Sequence, residues 1–268
     1  MDFVQTLVLG IVEGITEFLP ISSTGHLILA SKLLNIPDSN FLKSFEIAIQ
    51  LGAILAVVVL YWRRVVGDKE IWKRVSVAFL PTAFFGFIFY KLMKEVLLSD
   101  VRLVLWSLLI GGIALILFEI WHGKWQRVRL QQDLAFGGQR GKSLSDISYS
   151  KVFAIGAVQS VAMVPGVSRA AATIVGGLLM GISRKTIVEF SFLLAVPTMA
   201  AATIFDLWKS ANSFSLEQFH LLAFGFIVSF FAAIIAIKWL LRFIQNHTFI
   251  SFGVYRIIIA LLFWIFVL

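Results

Sequence analysis

Carboxylate, hydroxyl and imidazole side chains lie close together between Glu13 and His26, in a segment that is otherwise apolar. Glu13 and Glu17 are four residues apart, so they lie on one face of a helix. Two carboxylates this close repel each other unless a cation or a shared proton lies between them. A hard divalent cation such as Mg²⁺ or Ca²⁺ prefers such oxygen ligands, and we predict that the pair binds one. The alternative is a protonated glutamate hydrogen bonded to the backbone.

A group of hydroxyls follows the helix-breaking Pro20, namely Ser22, Ser23 and Thr24, and His26 comes two residues later. A hydroxyl and an imidazole are the components of an activated nucleophile and its base. The alternative is that the hydroxyls cap a helix start while the histidine lies at the membrane interface. The two acids upstream in the same segment favour the catalytic interpretation.

Arg169 is the most informative candidate residue of the second half, because it follows the break Pro165-Gly166-Val167-Ser168 in another apolar segment. Its guanidinium offers a fixed fork of donors that matches phosphate oxygens. A helix that begins near Ser168 would add backbone N–H groups and a positive dipole end. The alternative is a structural ion pair with Glu13 or Glu17. Carboxylates, a cation, hydroxyls, a histidine and an arginine together indicate phosphoryl chemistry.

The composition places these groups in a membrane protein. The chain is 59% apolar and only 14% charged, whereas soluble domains average about a quarter charged residues. The net charge of +8 comes from basic residues in short loops between apolar runs, which is a membrane-topology pattern rather than a nucleic-acid site. The absence of cysteine excludes disulfides and thiolate metal sites. The first basic residue is Lys32, so we predict no removable signal peptide.

The elements that must position the site are membrane helices. Two apolar regions, 1–34 and 152–183, are broken by Pro and Gly, and each half is too short to cross a bilayer. We predict that both are re-entrant hairpins. Six other apolar runs approach or exceed the roughly 20 residues that a span needs. These predicted spans are 44–62, 75–91, 102–121, 186–207, 217–241 and 250–268.

The Lys and Arg residues of the loops set the predicted orientation. If the two hairpins do not cross, 15 basic residues fall on one side and 6 on the other. The richer side should be cytoplasmic, which places both termini outside. The polar stretch 122–151 is then a cytoplasmic linker between a first repeat, 1–121, and a second, inverted repeat, 152–268.

Weak internal similarity supports this inverted repeat. The segment Gly10–Glu13 resembles Gly156–Gln159, and Pro20–Ser23 resembles Pro165–Ser168. Inverted repeats with broken helices bring functional side chains together near the midplane of the membrane. Chance similarity between two Gly/Pro-broken apolar stretches is the alternative.

Two further groups are predicted to have structural roles. Arg256, in the last span, is expected to pair with Glu46 or Glu189. Gln50 and Gln159 are expected to bridge the hairpins by hydrogen bonds.

Several of these segments resemble those of a known family, the bacterial undecaprenyl-diphosphate phosphatases of the BacA type. The stretch Glu13–His26 is similar to the first family signature, and Pro165–Arg169 is similar to the second. Glu189–Pro197 and Tyr255-Arg256 also resemble family patterns, and the similarity runs from residue 3 nearly to the C-terminus. The family usually has Ser-Gly after the second signature arginine, where this chain has Ala170 and Ala171. If the lost hydroxyl or glycine contacts the diphosphate, we expect a lower affinity or rate.

The resemblance implies hydrolysis of undecaprenyl diphosphate to undecaprenyl phosphate and phosphate. This reaction recycles the lipid carrier of cell-wall synthesis in the bacterial cytoplasmic membrane and is associated with bacitracin resistance. The resemblance also implies a fold of six spans and two re-entrant hairpins in inverted repeats. Carried over by motif, Ser23 matches the nucleophile, His26 the catalytic histidine and Arg169 the phosphate-binding arginine. Glu13 and Glu17 match the metal-linked acids, Glu17 also being catalytic, and we expect substrate contacts from Ser22, Thr24 and Ser168.

We therefore expect an all-α polytopic membrane enzyme that acts on a polyprenyl diphosphate, contacts membrane lipids and binds no nucleic acid. The sequence leaves open whether Ser23, His26 or water attacks, and whether the protein is a monomer or a homodimer. The rival hypothesis is a lipid or ion transporter built on the same repeats. A transporter needs broken helices and charges but no nucleophile, so the hydroxyl–histidine cluster favours the enzyme. A purely structural scaffold leaves the buried charges unexplained.

Overall fold

The protein is all-helical. A computed structural model describes residues 1–92, 101–135, 143–210 and 219–266, and in these ranges the chain forms eleven α-helices and no β-strand. The helices are α1 (Phe3–Thr16), α2 (Ser23–Leu33), α3 (Asn40–Leu60), α4 (Trp62–Gly67), α5 (Lys69–Leu92), α6 (Val101–Ala135), α7 (Tyr149–Gln159), α8 (Arg169–Leu179), α9 (Arg184–Ser210), α10 (Phe219–Asn246) and α11 (Ile250–Phe266).

Five of these helices are long and apolar enough to cross a membrane, which confirms a polytopic membrane protein. They are α3, α5, α6, α9 and α10, and they coincide with five of the six predicted spans. The sixth prediction, 250–268, corresponds to α11, an apolar helix with 17 residues in the described part of the chain. Helix α6 continues to Ala135, inside the range predicted as a linker, and 136–142 of that range lie outside the described residues.

Two helix–loop–helix units carry the broken segments. We call α1 and α2 hairpin 1 (residues 3–33), and α7 and α8 hairpin 2 (residues 149–179). Their helices have 14, 11, 11 and 11 residues, so each arm is shorter than the roughly 20 residues that span a bilayer. The helices within each hairpin contact each other, and a short 3₁₀ segment, Ser160–Met163, leads from α7 into the second loop.

The helices of one half pack on those of the other half in a reciprocal pattern. Helix α1 packs on α10 and helix α7 packs on α5, while α6 crosses α11 and α3 crosses α9. Glycine makes the hairpin contacts close, because a Cβ added at Gly14 would lie 2.4 Å from the Ser229 carbonyl oxygen. A Cβ added at Gly156 would lie 1.8 Å from the Ala78 carbonyl oxygen. Both first helices of the hairpins are therefore held backbone-to-backbone against a long apolar helix.

Candidate active site

The loops of the two hairpins meet around one buried guanidinium, that of Arg256 in α11, which is 0% exposed. An arginine has five N–H donors, and here every one is directed at a backbone carbonyl. The acceptors are Pro20 (3.4 Å), Gly166 (2.8 Å) and Val167 (3.1 Å) in the two loops, and Ser107 (3.0 Å) and Leu108 (3.3 Å) in α6. Arg256 therefore ties loop 1, loop 2 and α6 together.

The prediction that Arg256 pairs with Glu46 or Glu189 is wrong. The guanidinium is saturated by carbonyl oxygens, so none of its donors is left for a carboxylate. Glu189 instead pairs with Arg64 of α4. Space for the guanidinium comes from Gly111 in α6, where an added Cβ would lie 2.1 Å from Nη2 of Arg256.

A chain of hydrogen bonds joins Ser23, Glu17 and Arg169 across the two hairpins. The Ser23 hydroxyl donates to Oε2 of Glu17 at 2.5 Å, and Nη2 of Arg169 donates to Oε1 of the same carboxylate at 3.1 Å. Glu17 is 7% exposed and Ser23 is 8% exposed, so the chain is shielded from solvent. A hydroxyl, a carboxylate positioned to accept its proton, and a guanidinium are thus brought together from residues up to 152 positions apart.

The other side of Arg169 is fixed by α9 and α8. Its Nη1 donates to the Ser191 carbonyl oxygen at 2.8 Å and approaches the Ser191 hydroxyl at 3.4 Å. That hydroxyl lies 2.6 Å from Oγ1 of Thr173, which in turn donates to the Arg169 carbonyl oxygen at 3.0 Å. This closed ring of hydrogen bonds orients the guanidinium, and neither Ser191 nor Thr173 was predicted.

His26 is held in one tautomer by two partners. Its Nδ1 lies 2.7 Å from the Ser22 carbonyl oxygen, which can only accept, so Nδ1 carries the proton. In the neutral ring Nε2 then accepts from the Tyr255 hydroxyl at 3.0 Å, and the two rings stack with centroids 5.5 Å apart. Neither ring nitrogen is hydrogen bonded to Ser23 within the described structure. In this arrangement Glu17, rather than His26, is the base within reach of Ser23.

Both loops end in a serine with the same unusual backbone. Ser22 has φ 74° and Ser168 has φ 73°, a region that L-residues seldom occupy and that costs about 1–3 kcal/mol. Each hydroxyl caps the helix that follows, Ser22 accepting from the Gly25 amide and Ser168 from the Ala171 amide. The N-termini of α2 and α8, with their unpaired amides and positive dipole ends, therefore adjoin the Glu17–Arg169 contact.

These caps set the register of the repeat. Ser22 and Ser168 are 146 residues apart, the same offset as Gly10 and Gly156. The sequence comparison that placed Ser23 opposite Ser168 is therefore shifted by one residue, because it matched the two prolines. With the structural register, Ser23 corresponds to Arg169.

Two buried polar groups beside this network have no hydrogen-bond partner in the described part of the chain. One is the Glu13 carboxylate, which is 0% exposed and whose two oxygens both lack a partner. The other is Nε of Arg169. A buried acceptor and a buried donor without partners are unfavourable unless a ligand satisfies them or, at Glu13, a proton is shared with the neighbouring Glu17. A cation against Glu13 and an anion against Arg169 would satisfy both groups. The oxygen-only donor set suits a hard divalent cation, although the described residues include no cluster of three or more His, Cys, Asp or Glu.

Known proteins are similar to this chain over nearly its whole length. Residues 6–262 match the family model described as bacitracin resistance protein BacA. An undecaprenyl-diphosphatase of Aquifex aeolicus is 51% identical over 97% of this chain and 96% of its own length. The chain belongs to the BacA family. Two further undecaprenyl-diphosphatases, from Sulfurihydrogenibium sp. and Persephonella marina, are 49% and 46% identical over 99% and 100% of both chains.

The two alanines that follow Arg169, where the family resemblance led us to expect Ser-Gly, are buried. Ala170 is 1% exposed and belongs to the apolar cluster that also contains Ile174 and Leu178 of the same helix. Ala171 is 8% exposed, and its amide donates to the Ser168 cap. Both alanine side chains are thus buried, and the Glu17–Arg169 contact is in place beside them.

Most of the predicted site residues lie in or beside one hydrogen-bond network in this BacA-family structure. Glu17, Ser23 and Arg169 form one network, His26 and Ser22 are joined beside it, and Ser168 caps the helix that begins with Arg169. Thr24 is half-buried in the first turn of α2. Sequence reasoning missed Tyr255, Ser191 and Thr173. Tyr255 and Ser191 lie in segments that already resembled family patterns, so the motifs were the available signal.

Proposed function

We propose that this protein hydrolyses undecaprenyl diphosphate to undecaprenyl phosphate and inorganic phosphate, the activity named for its relatives. The observation that carries the proposal is the Ser23–Glu17–Arg169 network, which joins a nucleophile, a base and a phosphate-binding cation across the two hairpins. A transporter has no use for a serine hydroxyl that donates to a buried carboxylate. The same reaction accounts for the bacitracin resistance in the family description, because it recycles the lipid carrier.

The first chemical step is attack by Ser23 on the terminal phosphorus. The Ser23 oxygen forms a bond to that phosphorus, its proton passes to Glu17, and the bond from phosphorus to the bridging oxygen breaks. The leaving group is the prenyl monophosphate, whose phosphate titrates near pH 6 and therefore needs charge stabilisation more than a proton. Arg169 and the N-termini of α2 and α8 provide that positive charge.

The second step releases phosphate from Ser23. Water attacks the phosphoserine, the serine oxygen leaves with a proton from Glu17, and inorganic phosphate departs. His26 is the base that we assign to this water, because Nε2 has a lone pair and lies beside the α2 N-terminus. The hydrogen bond from Tyr255 covers that lone pair and must open when the water binds.

We assign a divalent cation, Mg²⁺ or Ca²⁺, to Glu13 with Glu17 as a second ligand. Mg²⁺ commonly binds to one or two carboxylates and takes its remaining ligands from substrate phosphates and water, which fits two acids without a third. Such an ion neutralises the diphosphate and polarises its oxygens when it is bound. The protein contributes the buried Glu13 carboxylate, whose oxygens accept no hydrogen bond from a donor group in the described residues.

The membrane arrangement that we propose has six spans, α11 being the sixth, and two re-entrant hairpins in inverted repeats within the bacterial cytoplasmic membrane. The reciprocal packing of α1 on α10 and α7 on α5 supports it. The prenyl chain approaches along α11, where Val254, Tyr255 and Ile258 are about 40–50% exposed and Tyr255 contacts His26. One chain contains every residue of the site, so the reaction needs no second copy.

The test is phosphate release from C55 prenyl diphosphate by the purified protein in detergent. Wild type should release phosphate and lose activity with a metal chelator, regaining it with Mg²⁺ or Ca²⁺. Ser23→Ala should lower kcat at least about 10³-fold, while Ser150→Ala, an exposed serine in α7, should leave it unchanged. Wild-type protein that moves the lipid across liposomes without releasing phosphate would establish the transporter instead.

A further inference from the structure

A basic groove lies at the N-terminal end of α5, away from the active site. Its volume is about 570 Å³. Two lysines and two aromatic residues are among the seven residues that line it, and none of the seven is acidic. The lining residues are Val66, Lys69, Trp72, Lys73, Ser76, Val77 and Tyr149.

Hydrogen bonds fix the aromatic wall of this groove. The indole N–H of Trp72 donates to the Val65 carbonyl oxygen, and the Tyr149 hydroxyl donates to Glu70 at 3.3 Å. The guanidinium of Arg74 lies 4.8 Å from the centre of the Tyr149 ring. The walls are therefore in place before any ligand binds, which lowers the entropy lost on binding.

The charge of the groove suits an anion. Lys69 is exposed, and the side chain of Lys73 is 62% exposed while pairing with Glu70 at 2.7 Å. Glu70 also accepts from Arg74 at 2.9 Å, and the Asp68 carboxylate accepts from the Glu70 amide, so Lys69, Lys73 and Arg74 outnumber the acids of this segment by three to two. The cluster has an unbalanced positive charge, and its two lysines project into the groove.

The groove continues into an apolar strip on the same face of α5. From Lys73 the helix places Val77, Leu80, Phe84 and Phe87 at successive steps of three or four residues, which share one face. Leu80, Phe84 and Phe87 are 59%, 62% and 81% exposed. A cationic groove next to an exposed apolar strip of a membrane-spanning helix is complementary to a phospholipid, whose phosphate is anionic and whose acyl chains are apolar.

We propose that this groove binds the head group of an anionic phospholipid, with the acyl chains along α5. Lys69 and Lys73 contact the phosphate, Ser76 offers a hydroxyl, and Trp72 and Tyr149 lie at the interface, where aromatic residues are favoured. By the Lys and Arg bias, the lipid belongs to the cytoplasmic leaflet. The proposal is independent of the hydrolase, because none of these residues belongs to the catalytic network.

The experiment uses Trp72 as the reporter. The full chain is reconstituted in phosphatidylcholine bilayers that contain a minor fraction of brominated phosphatidylglycerol or, separately, brominated phosphatidylcholine. The fluorescence lost in Trp72→Phe identifies the Trp72 signal. We expect brominated phosphatidylglycerol to quench that signal more strongly than brominated phosphatidylcholine. Each lysine near an anionic head group contributes about fivefold in affinity, so the variant K69Q/K73Q should lose the preference.

The matched control is K185Q/K238Q, which removes two exposed lysines predicted on the same side of the membrane but outside the groove. It should keep the preference. Equal quenching by the two lipids in wild type, or an unchanged preference in K69Q/K73Q, would overturn the proposal. Loss of the preference in excess inorganic phosphate would assign the groove to free phosphate and would overturn it as well.

Discussion

The two hairpins share a backbone and differ in chemistry. Each consists of two short helices, a loop that ends in a serine with φ near +73°, and a cap from that serine to the amide three residues on. At an offset of 146 residues, hairpin 1 has Glu13, Glu17, Ser23 and His26 where hairpin 2 has Gln159, Met163, Arg169 and Ala172. One hairpin thus supplies the acids and the nucleophile, and the other supplies the cation.

The two hairpins therefore have similar backbones, while the side chains that carry the chemistry differ between them. The similar backbones of the two hairpins bring two strained loops and two helix N-termini to one place, and this requires only Gly, Pro and Ser at particular positions. Charge complementarity then comes from different side chains at equivalent positions, so Arg169 faces Glu17 across the interface at 3.1 Å. A symmetric set of side chains would place like charges together.

The most informative equivalent pair is Glu13 and Gln159, which are 0% and 1% exposed. Gln159 donates to Thr82 at 2.8 Å and to Thr198 at 3.2 Å, so it joins α7 to α5 and α9, whereas Glu13 has no partner in the described chain. We expect Glu13→Gln to lower activity about 10²-fold or more and to raise the cation concentration needed for half-maximal rate. Gln159→Ala should lower thermal stability without changing the cation requirement.

Titration of phosphate release with Mg²⁺ and with Ca²⁺ checks this prediction, with a thermal melt of each variant alongside. An unchanged cation dependence in Glu13→Gln would remove Glu13 from the metal site.

The joint between the hairpins offers the second prediction. Gly111→Ala would place a methyl group 2.1 Å from Nη2 of Arg256, which is saturated by carbonyls and cannot move without breaking contacts to both loops. A displacement of about 1 Å in the site costs about 10²-fold in rate, and we expect a kcat loss of this order.

Gly123→Ala is the matched control in the same helix, because an added Cβ there meets nothing within 4 Å. Initial rates and melting temperatures of both variants test whether displacing Arg256 lowers kcat. Equal activity in the two alanine variants would show that Arg256 does not position the loops.

The smallest effect is expected at Tyr255 of α11, which contacts His26 of hairpin 1. Tyr255→Phe removes the donor to Nε2 of His26, and one such hydrogen bond contributes about 0.5–1.5 kcal/mol. Because this bond must open when the water binds, its loss should raise the rate of the second step roughly two- to tenfold. The pH–rate profile should change in Tyr255→Phe and remain unchanged in Tyr149→Phe, whose hydroxyl donates to Glu70 outside the site. A parallel loss at every pH would assign Tyr255 to packing alone.

Much of this arrangement followed from the sequence for physical reasons. Apolar run length predicted the long helices, Pro and Gly predicted the loops, and the cost of buried charge singled out Glu17 and Arg169. The partner of Arg256 was mispredicted because a charge suggests an opposite charge, whereas here carbonyl oxygens of two loops and a helix surround it. The partner of Nε2 in His26 is Tyr255, 229 residues away, and no spacing rule connects such residues.

The two hairpins share one site if Glu17 and Arg169 act as a unit, and a double-variant cycle on these two residues tests this. The measurement is kcat/KM for phosphate release by wild type, Glu17→Gln, Arg169→Gln and the double variant, each checked for folding by its melting temperature. We predict that each single change removes most of the activity and that the double variant is no slower than the slower single variant, because residues that act as a unit are not additive. Losses that multiply in the double variant would contradict the claim and show that the two hairpins act independently.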